Sequence, residues 1–352
     1  MNNDFNNFNP DLNQPSVPEM PEKEQRRHRW FFSRLCIAIL VYIVISQSVA
    51  SMAVLLLDEI NPELLKSGNA QLILSSAIQY LLAFPIFVGL MKKLPASAPE
   101  KKKLSGREIF KYLTVTVFVM YVGNYISSFI LTVIQERFGG VPENDVSTLL
   151  TETDLLLSFA IAGIIGPIIE EIMFRKLLID RLTPYGEAIA IFFPSLIFGL
   201  IHGNLYQFFY AFLIGAILSY VYVRSGRIIY TMIYHCFINL FCGVLPAYVM
   251  SQINVDELIE LLSTGVIPEE YIQANILPLS LLAGYSFIIM GLLFIGIFNF
   301  NRGIRRARLN RGEIVFPKGK SAEIIFFNVG AIALITSCII LIALSTFSFA
   351  AT

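Results

Sequence analysis

The chain has 352 residues, 55% of them hydrophobic and only 15% charged, with 26 basic and 26 acidic side chains that cancel. Soluble globular domains carry about 25% charged residues, so the composition excludes an ordinary soluble fold, and the balanced charge gives no reason to expect nucleic acid as a partner. Apolar runs of about twenty residues, the length that crosses a bilayer as a helix, place the chain among integral membrane proteins, in the plasma membrane if it is bacterial.

In chain order, residues 1–30 begin with an Asn- and Pro-rich stretch that reads as a disordered cytoplasmic tail. It is not a signal peptide, because the first apolar run is too long for a signal core and lacks a small-residue cleavage site. Three N-terminal helices follow within 31–135, at 31–57, 70–91 and 112–135. A core of four occupies 150–250, at 155–179, 186–202, 205–223 and 228–250. Two C-terminal helices, 276–299 and 322–349, lie within 276–349. The fold class is therefore all-α: a polytopic helical membrane protein with about nine transmembrane helices.

Lys and Arg next to membrane helices are retained in the cytoplasm. They cluster before the first helix (Lys23, Arg26, Arg27, Arg29), after the second (Lys92 to Arg107) and after the eighth (Arg302 to Lys320), whereas Glu143, Asp145, Glu152, Asp154 and the Asp256–Glu270 segment make alternate loops acidic. This puts the N-terminus in the cytoplasm. The Arg-rich loop after helix eight reads first as a topology determinant and second as a site for anionic lipid headgroups. The four cysteines, Cys36, Cys236, Cys242 and Cys338, form no C-x-x-C pair and read as small buried hydrophobes.

Ionisable side chains at membrane depth cost roughly 2.5–3.5 kcal/mol each on insertion scales. The fourth helix nevertheless holds Glu170, Glu171 and Arg175 within two turns. Glu171 and Arg175 stand i,i+4 and can pair on one face, a supporting role. Glu170 points about 100° further round, without such a partner, and is free to act as a general base or acid. Two of the three histidines, His202 and His235, also lie in apolar helices, and His235 shares a face with Asn239.

A carboxylate and an imidazole can deprotonate water, while a second imidazole and an amide can stabilise an oxyanion. No G-x-S-x-G or H-E-x-x-H occurs. No catalytic metal is favoured, and the alternative is zinc held by Glu170, His202 and His235. The competing class is a non-catalytic transporter or scaffold that uses the same residues as a proton relay or structural network.

Glu170-Glu171-x-x-x-Arg175, then Phe198-x-x-x-His202, then His235-x-x-x-Asn239, in order on membrane helices, resembles the CAAX protease and bacteriocin-processing (CPBP) family, related to the type II CAAX prenyl endopeptidases. The resemblance covers about 150–245. It implies an intramembrane endopeptidase in which Glu170 and His202 activate water, His235 and Asn239 stabilise the oxyanion, and Glu171 and Arg175 support the first motif. It implies membrane lipid and a peptide or lipid-anchored protein substrate as partners. One expectation conflicts with it: the helix boundaries above place Glu170 and His202 roughly 10–15 Å apart in depth.

Overall fold

A computed structural model of the chain describes residues 20–140 and 145–347. No strand forms among them; apart from one isolated bridge between Gly186 and Arg311, the architecture is helical. Eight helices are long and apolar enough to cross a membrane: α1 (Glu22–Ile60), α2 (Gly68–Met91), α3 (Gly106–Phe138), α4 (Leu155–Tyr185), α6 (Leu205–Ser225), α7 (Ile228–Ser251), α8 (Ile276–Ile304) and α9 (Val329–Phe347). The remaining helix of the core, α5 (Glu187–Ile201), has 15 residues. At 1.5 Å per residue it reaches about 22 Å, short of a hydrocarbon core of about 30 Å.

Several boundaries differ from expectation. Helix α1 begins at Glu22, so residues 22–30, expected in the tail, are helical; Glu22 and Glu24 in its first turn suit the positive end of the helix dipole. The earlier tail residues lie outside the described residues, as does Glu143. The expected 322–349 run is broken by Asn328. Its amide donates to the carbonyls of Ile324 and Ile325, closing Ser321–Phe326, and its Oδ1 accepts from Ala331 N, opening α9. Helix α5 keeps its expected bounds to within one residue at each end, set between two glycines with left-handed backbone, Gly186 (φ 97°) and Gly203 (φ 68°). The cysteines divide: Cys36 and Cys338 are buried, whereas Cys236 and Cys242 are half-buried.

Contacts between loops sort the two ends of the bundle. At one end Arg29 meets Glu323, Ser97 N donates to Asp180 O, Lys102 N donates to Ser225 O, and Glu187 pairs with Arg224. At the other end Asn69 bonds Asp154, and Phe138 packs edge-on against Phe347. The basic loops thus share one end. This is the alternation that the charge pattern requires of nine successive helices, with α5 taking its turn although it is short.

Without a hydrophobic drive between apolar helices, close approach depends on small side chains and interhelical hydrogen bonds. A side chain at Gly123 of α3 would collide with the backbone of Phe209 and Tyr210, which fixes α3 against α6. Gly199 and Gly215 similarly bring α5 against α6, where Ser195 and Ser219 hydroxyls meet at 3.3 Å. Helix α8 docks on α3 through Gly296 and a 3.0 Å bond from Asn299 to the Thr114 hydroxyl.

Candidate active site

The helices around Glu170 are locally widened to i→i+5 turns, a feature frequent at functional sites. Such segments occur at Ile78–Ala83 in α2, Ile161–Ile165 and Ile172–Ile179 in α4, and Ile238–Val244 in α7. Three of the four have a sequence cause. Pro85, Pro167 and Pro246 each stand two residues beyond the end of one segment. A proline has no N–H for the carbonyl four residues earlier and its ring clashes with that carbonyl; the wider turn moves the carbonyl aside. Nothing in the sequence explains the fourth segment, Ile172–Ile179.

Carbonyls loosened in this way need other donors. Helix α7 supplies them to α4: Asn239 Nδ2 donates to Ala162 O at 2.9 Å, and Cys236 Sγ approaches Ile164 O at 3.9 Å. One of the two amide hydrogens of Asn239 is therefore committed to the backbone and the other is left for a ligand.

The conflict in depth disappears because α4 continues to Tyr185, six residues beyond its expected end. Glu170 stands sixteen residues before Gly186 and His202 sixteen after it. Both are therefore roughly 24 Å along their helices from the same turn. The antiparallel register is visible in the packing: Phe198 meets Phe174 with ring centroids 4.9 Å apart, and the Arg175 guanidinium lies 5.4 Å from the Phe198 ring. The turn Gly203–Asn204 after His202 consequently lies at membrane depth. Irregular backbone there must be covered by protein or line a polar cavity; Asn204 caps α6 through Gln207 N, and its amide donates to His202 O and to Gln207 Oε1.

The charged groups separate into a buried set and an open one. Glu171 and Arg175 are both fully buried, with Arg175 Nε 3.0 Å from Glu171 Oε2. The other Glu171 oxygen is 3.0 Å from His235 Nδ1. His235 is thereby oriented with Nε2 towards Glu170 Oε2, 3.5 Å away, and the Glu170 side chain keeps 31% of its surface exposed. His202 Nδ1 lies 2.6 Å from Phe198 O. A carbonyl has no proton to give, so Nδ1 carries the hydrogen and the neutral ring keeps its lone pair on Nε2. Glu170 and His235 are both within electrostatic reach of His202. The Phe198 ring is the shared wall, with His202 and His235 edge-on to it at 4.9 and 5.7 Å.

Of the six residues singled out in the sequence, Glu170, Glu171, Arg175, His202 and His235 thus come together, whereas Asn239, one turn beyond His235, bonds the Ala162 carbonyl. Among the described residues, no group of three or more His, Cys, Asp or Glu side chains is placed to hold a metal ion. The sequence reading missed Tyr42, Tyr80 and Tyr210, all within electrostatic reach of Glu170. The Tyr80 hydroxyl packs against Gly166, leaving no room for a side chain there. No local pattern identifies residues that α1 and α2 bring from more than eighty positions away. Buried Thr231, beside Glu171, was within reach: it lies four residues before His235, on the His235–Asn239 stripe.

Residues 152–241 match the family described as type II CAAX prenyl endopeptidase Rce1-like. The chain is 27% identical over 133 residues to UPF0177 protein YxdF of Lactococcus lactis, covering 38% of this chain and 74% of that protein. It is 30% identical over 111 residues to a Bacillus subtilis protein named "Putative membrane peptidase YdiL", covering 30% of this chain and 44% of that one. No solved structure matches the chain.

Proposed function

We propose that the chain, whose membrane core at 152–241 matches the Rce1-like CAAX endopeptidase family, hydrolyses a peptide bond in a membrane-associated protein or peptide. Glu170 and His202 Nε2 take the proton from the attacking water, and the hydroxide adds to the scissile carbonyl. His235 in its imidazolium form, with Nδ1 held by Glu171, would donate from Nε2 to the oxyanion that forms, alongside the free N–H of Asn239. Collapse of that intermediate breaks the C–N bond, with the proton returned to the leaving amine. Neither a covalent enzyme intermediate nor a metal is part of the proposal, and cleavage that persists in a chelator is its expected outcome.

The observation that carries the reading is the different state of the two adjacent carboxylates. Glu171 is spent on Arg175 and His235, whereas Glu170 is partly open at the level of a histidine lone pair. A proton relay would string such groups along a path; the packing of His202 and His235 on one ring, Phe198, with Glu170 3.5 Å from His235, supports hydrolysis instead. An apolar cleft of about 650 Å³ between α4 and α7, walled by Leu155, Phe159, Phe237, Leu240 and Phe241, suits a substrate that arrives within the membrane. The basic end of the bundle faces the cytoplasm by the charge rule.

The test compares peptides released, by mass spectrometry, in membranes containing the wild-type chain or Glu170→Gln. Peptides seen only with the wild type support the reading. Identical peptide sets would overturn it.

A further inference from the structure

The basic loop after α8 is not loose. It folds back over the start of α5 and the end of α6: Asn310 bonds both carboxylate oxygens of Glu187, Glu187 N donates to Asn310 O, Ile314 N donates to Pro184 O, and Arg224 donates to Arg308 O. Gly186 and Gly312 face each other so closely that a side chain at either would strike the backbone of the other segment. Between this loop, α3, α6 and the 99–104 segment lies a cavity of about 770 Å³, within the roughly 300–1,000 Å³ of small-molecule sites.

The lining of this cavity is charged but unbalanced. Glu100 pairs with Lys102 at 2.9 Å and Glu187 with Arg224 at 3.0 Å. Glu108 is turned to the N and Oγ of Ser105 in a helix cap. Among the described residues, Lys103, Arg306, Arg308 and Arg311 line the cavity without an ion pair. Arg224, stacked 5.2 Å from the Tyr220 ring, also has a buried Nε without a hydrogen-bond partner.

Tyr112 and Tyr220, ring centroids 6.0 Å apart, belong to this cavity and also to a second one of about 310 Å³. Apart from Lys111 and Asn299, the second is an apolar slot between α3, α5, α6 and α8, with Val115, Ile191, Ala216, Ile217 and Phe300 on its walls. An excess of guanidinium and ammonium groups recognises phosphate. An apolar slot that shares Tyr112 and Tyr220 with the charged cavity takes a hydrocarbon chain. A soluble phosphate compound fits the first part alone, and a neutral lipid leaves the unpaired cations unanswered.

We propose that these two cavities form one binding site for an anionic phospholipid, its phosphate among Lys103, Arg306, Arg308 and Arg311 and an acyl chain in the slot beyond Tyr112 and Tyr220. The site lies on the basic end of α3, α5, α6 and α8, apart from the Glu170 cluster, and does not depend on the proposed chemistry.

Native mass spectrometry of the delipidated full-length protein in neutral detergent tests it. The probes are phosphatidylglycerol, phosphatidylcholine and inorganic phosphate. The wild type is expected to retain phosphatidylglycerol at least tenfold better than phosphatidylcholine. Arg306→Gln with Arg311→Gln, both on the exposed loop, and separately Ala216→Phe, which fills the slot, are each expected to reduce retention at least tenfold. Should the slot variant not fold, Ile217→Ser, which makes the wall polar, replaces it. Equal retention of the two lipids, retention that survives the Arg variants, or inorganic phosphate displacing the bound lipid as well as phosphatidylglycerol itself would each overturn the proposal.

Discussion

The middle of the bundle and its basic end both concentrate charge, yet they handle it in opposite ways. At mid-depth, the buried Glu171 carboxylate lies between Arg175 and His235, each 3.0 Å from one of its oxygens. At the basic end the loops carry more cations than partners, and most are exposed. Desolvation explains the contrast: an unpaired charge costs several kcal/mol away from water and little at its edge. Partial exposure of an unspent carboxylate at mid-depth is therefore informative in a way that exposed arginines are not, and Glu170 is that carboxylate.

The comparison makes predictions that weaken from the middle of the bundle outwards. The largest effect is expected for His202→Ala, which removes the lone pair beside Glu170; steady-state cleavage should fall by about 10²–10⁴-fold, the usual worth of a positioned acid–base group. Arg175→Met leaves Glu171 buried without its guanidinium. Its unfolding free energy in detergent should drop by about 3–5 kcal/mol, as when one partner of a buried pair is removed; unchanged stability would mean that the pair is not what holds α4.

Pro167→Ala restores an N–H to the turn that the proline widened. Relaxation towards a regular helix would displace Glu170, so a loss on the order of ten- to a hundredfold in turnover is expected, with melting little changed. The smallest effect belongs to the exposed end. Lys320 and then Arg29 hold the Glu323 carboxyl below the usual carboxylate range. The stability this supplies is present above the ordinary carboxylate pKa and is lost as the pH falls through the lowered value in the folded protein. Glu323→Gln should thus melt slightly below the wild type at neutral pH, and the difference should vanish in acid.

How much of this was legible beforehand differs between the same two regions. Membrane helices announce themselves through apolar length and flanking charge, and sequence spacing alone paired Glu171 with Arg175 and His235 with Asn239. What spacing hid was the end of α4. Residues 180–185, Asp-Arg-Leu-Thr-Pro-Tyr, read as a polar loop, yet Asp180 and Arg181 are buried and bonded to Tyr222 and the Met91 carbonyl. That tertiary pairing carries the helix to Tyr185 and brings Glu170 level with His202. The prolines were visible too, but a proline signals a break as readily as a widened turn, and only the packing of α2, α4 and α7 decides which. At the basic end the Arg-rich loop was plain, whereas its docking through Gly186 and Gly312 rests on contacts across more than a hundred residues.

The central claim is that Glu170 and His202 act as one unit on one water. The direct test measures cleavage of the peptides released by the wild type in four purified proteins: wild type, Glu170→Gln, His202→Ala and the double variant, with melting followed in each. The account predicts that either single variant is nearly as slow as the double, with melting unchanged, because groups that act together are not additive. Losses that simply multiply in the double variant, or a Glu170→Gln protein that cleaves at the wild-type rate, would contradict it.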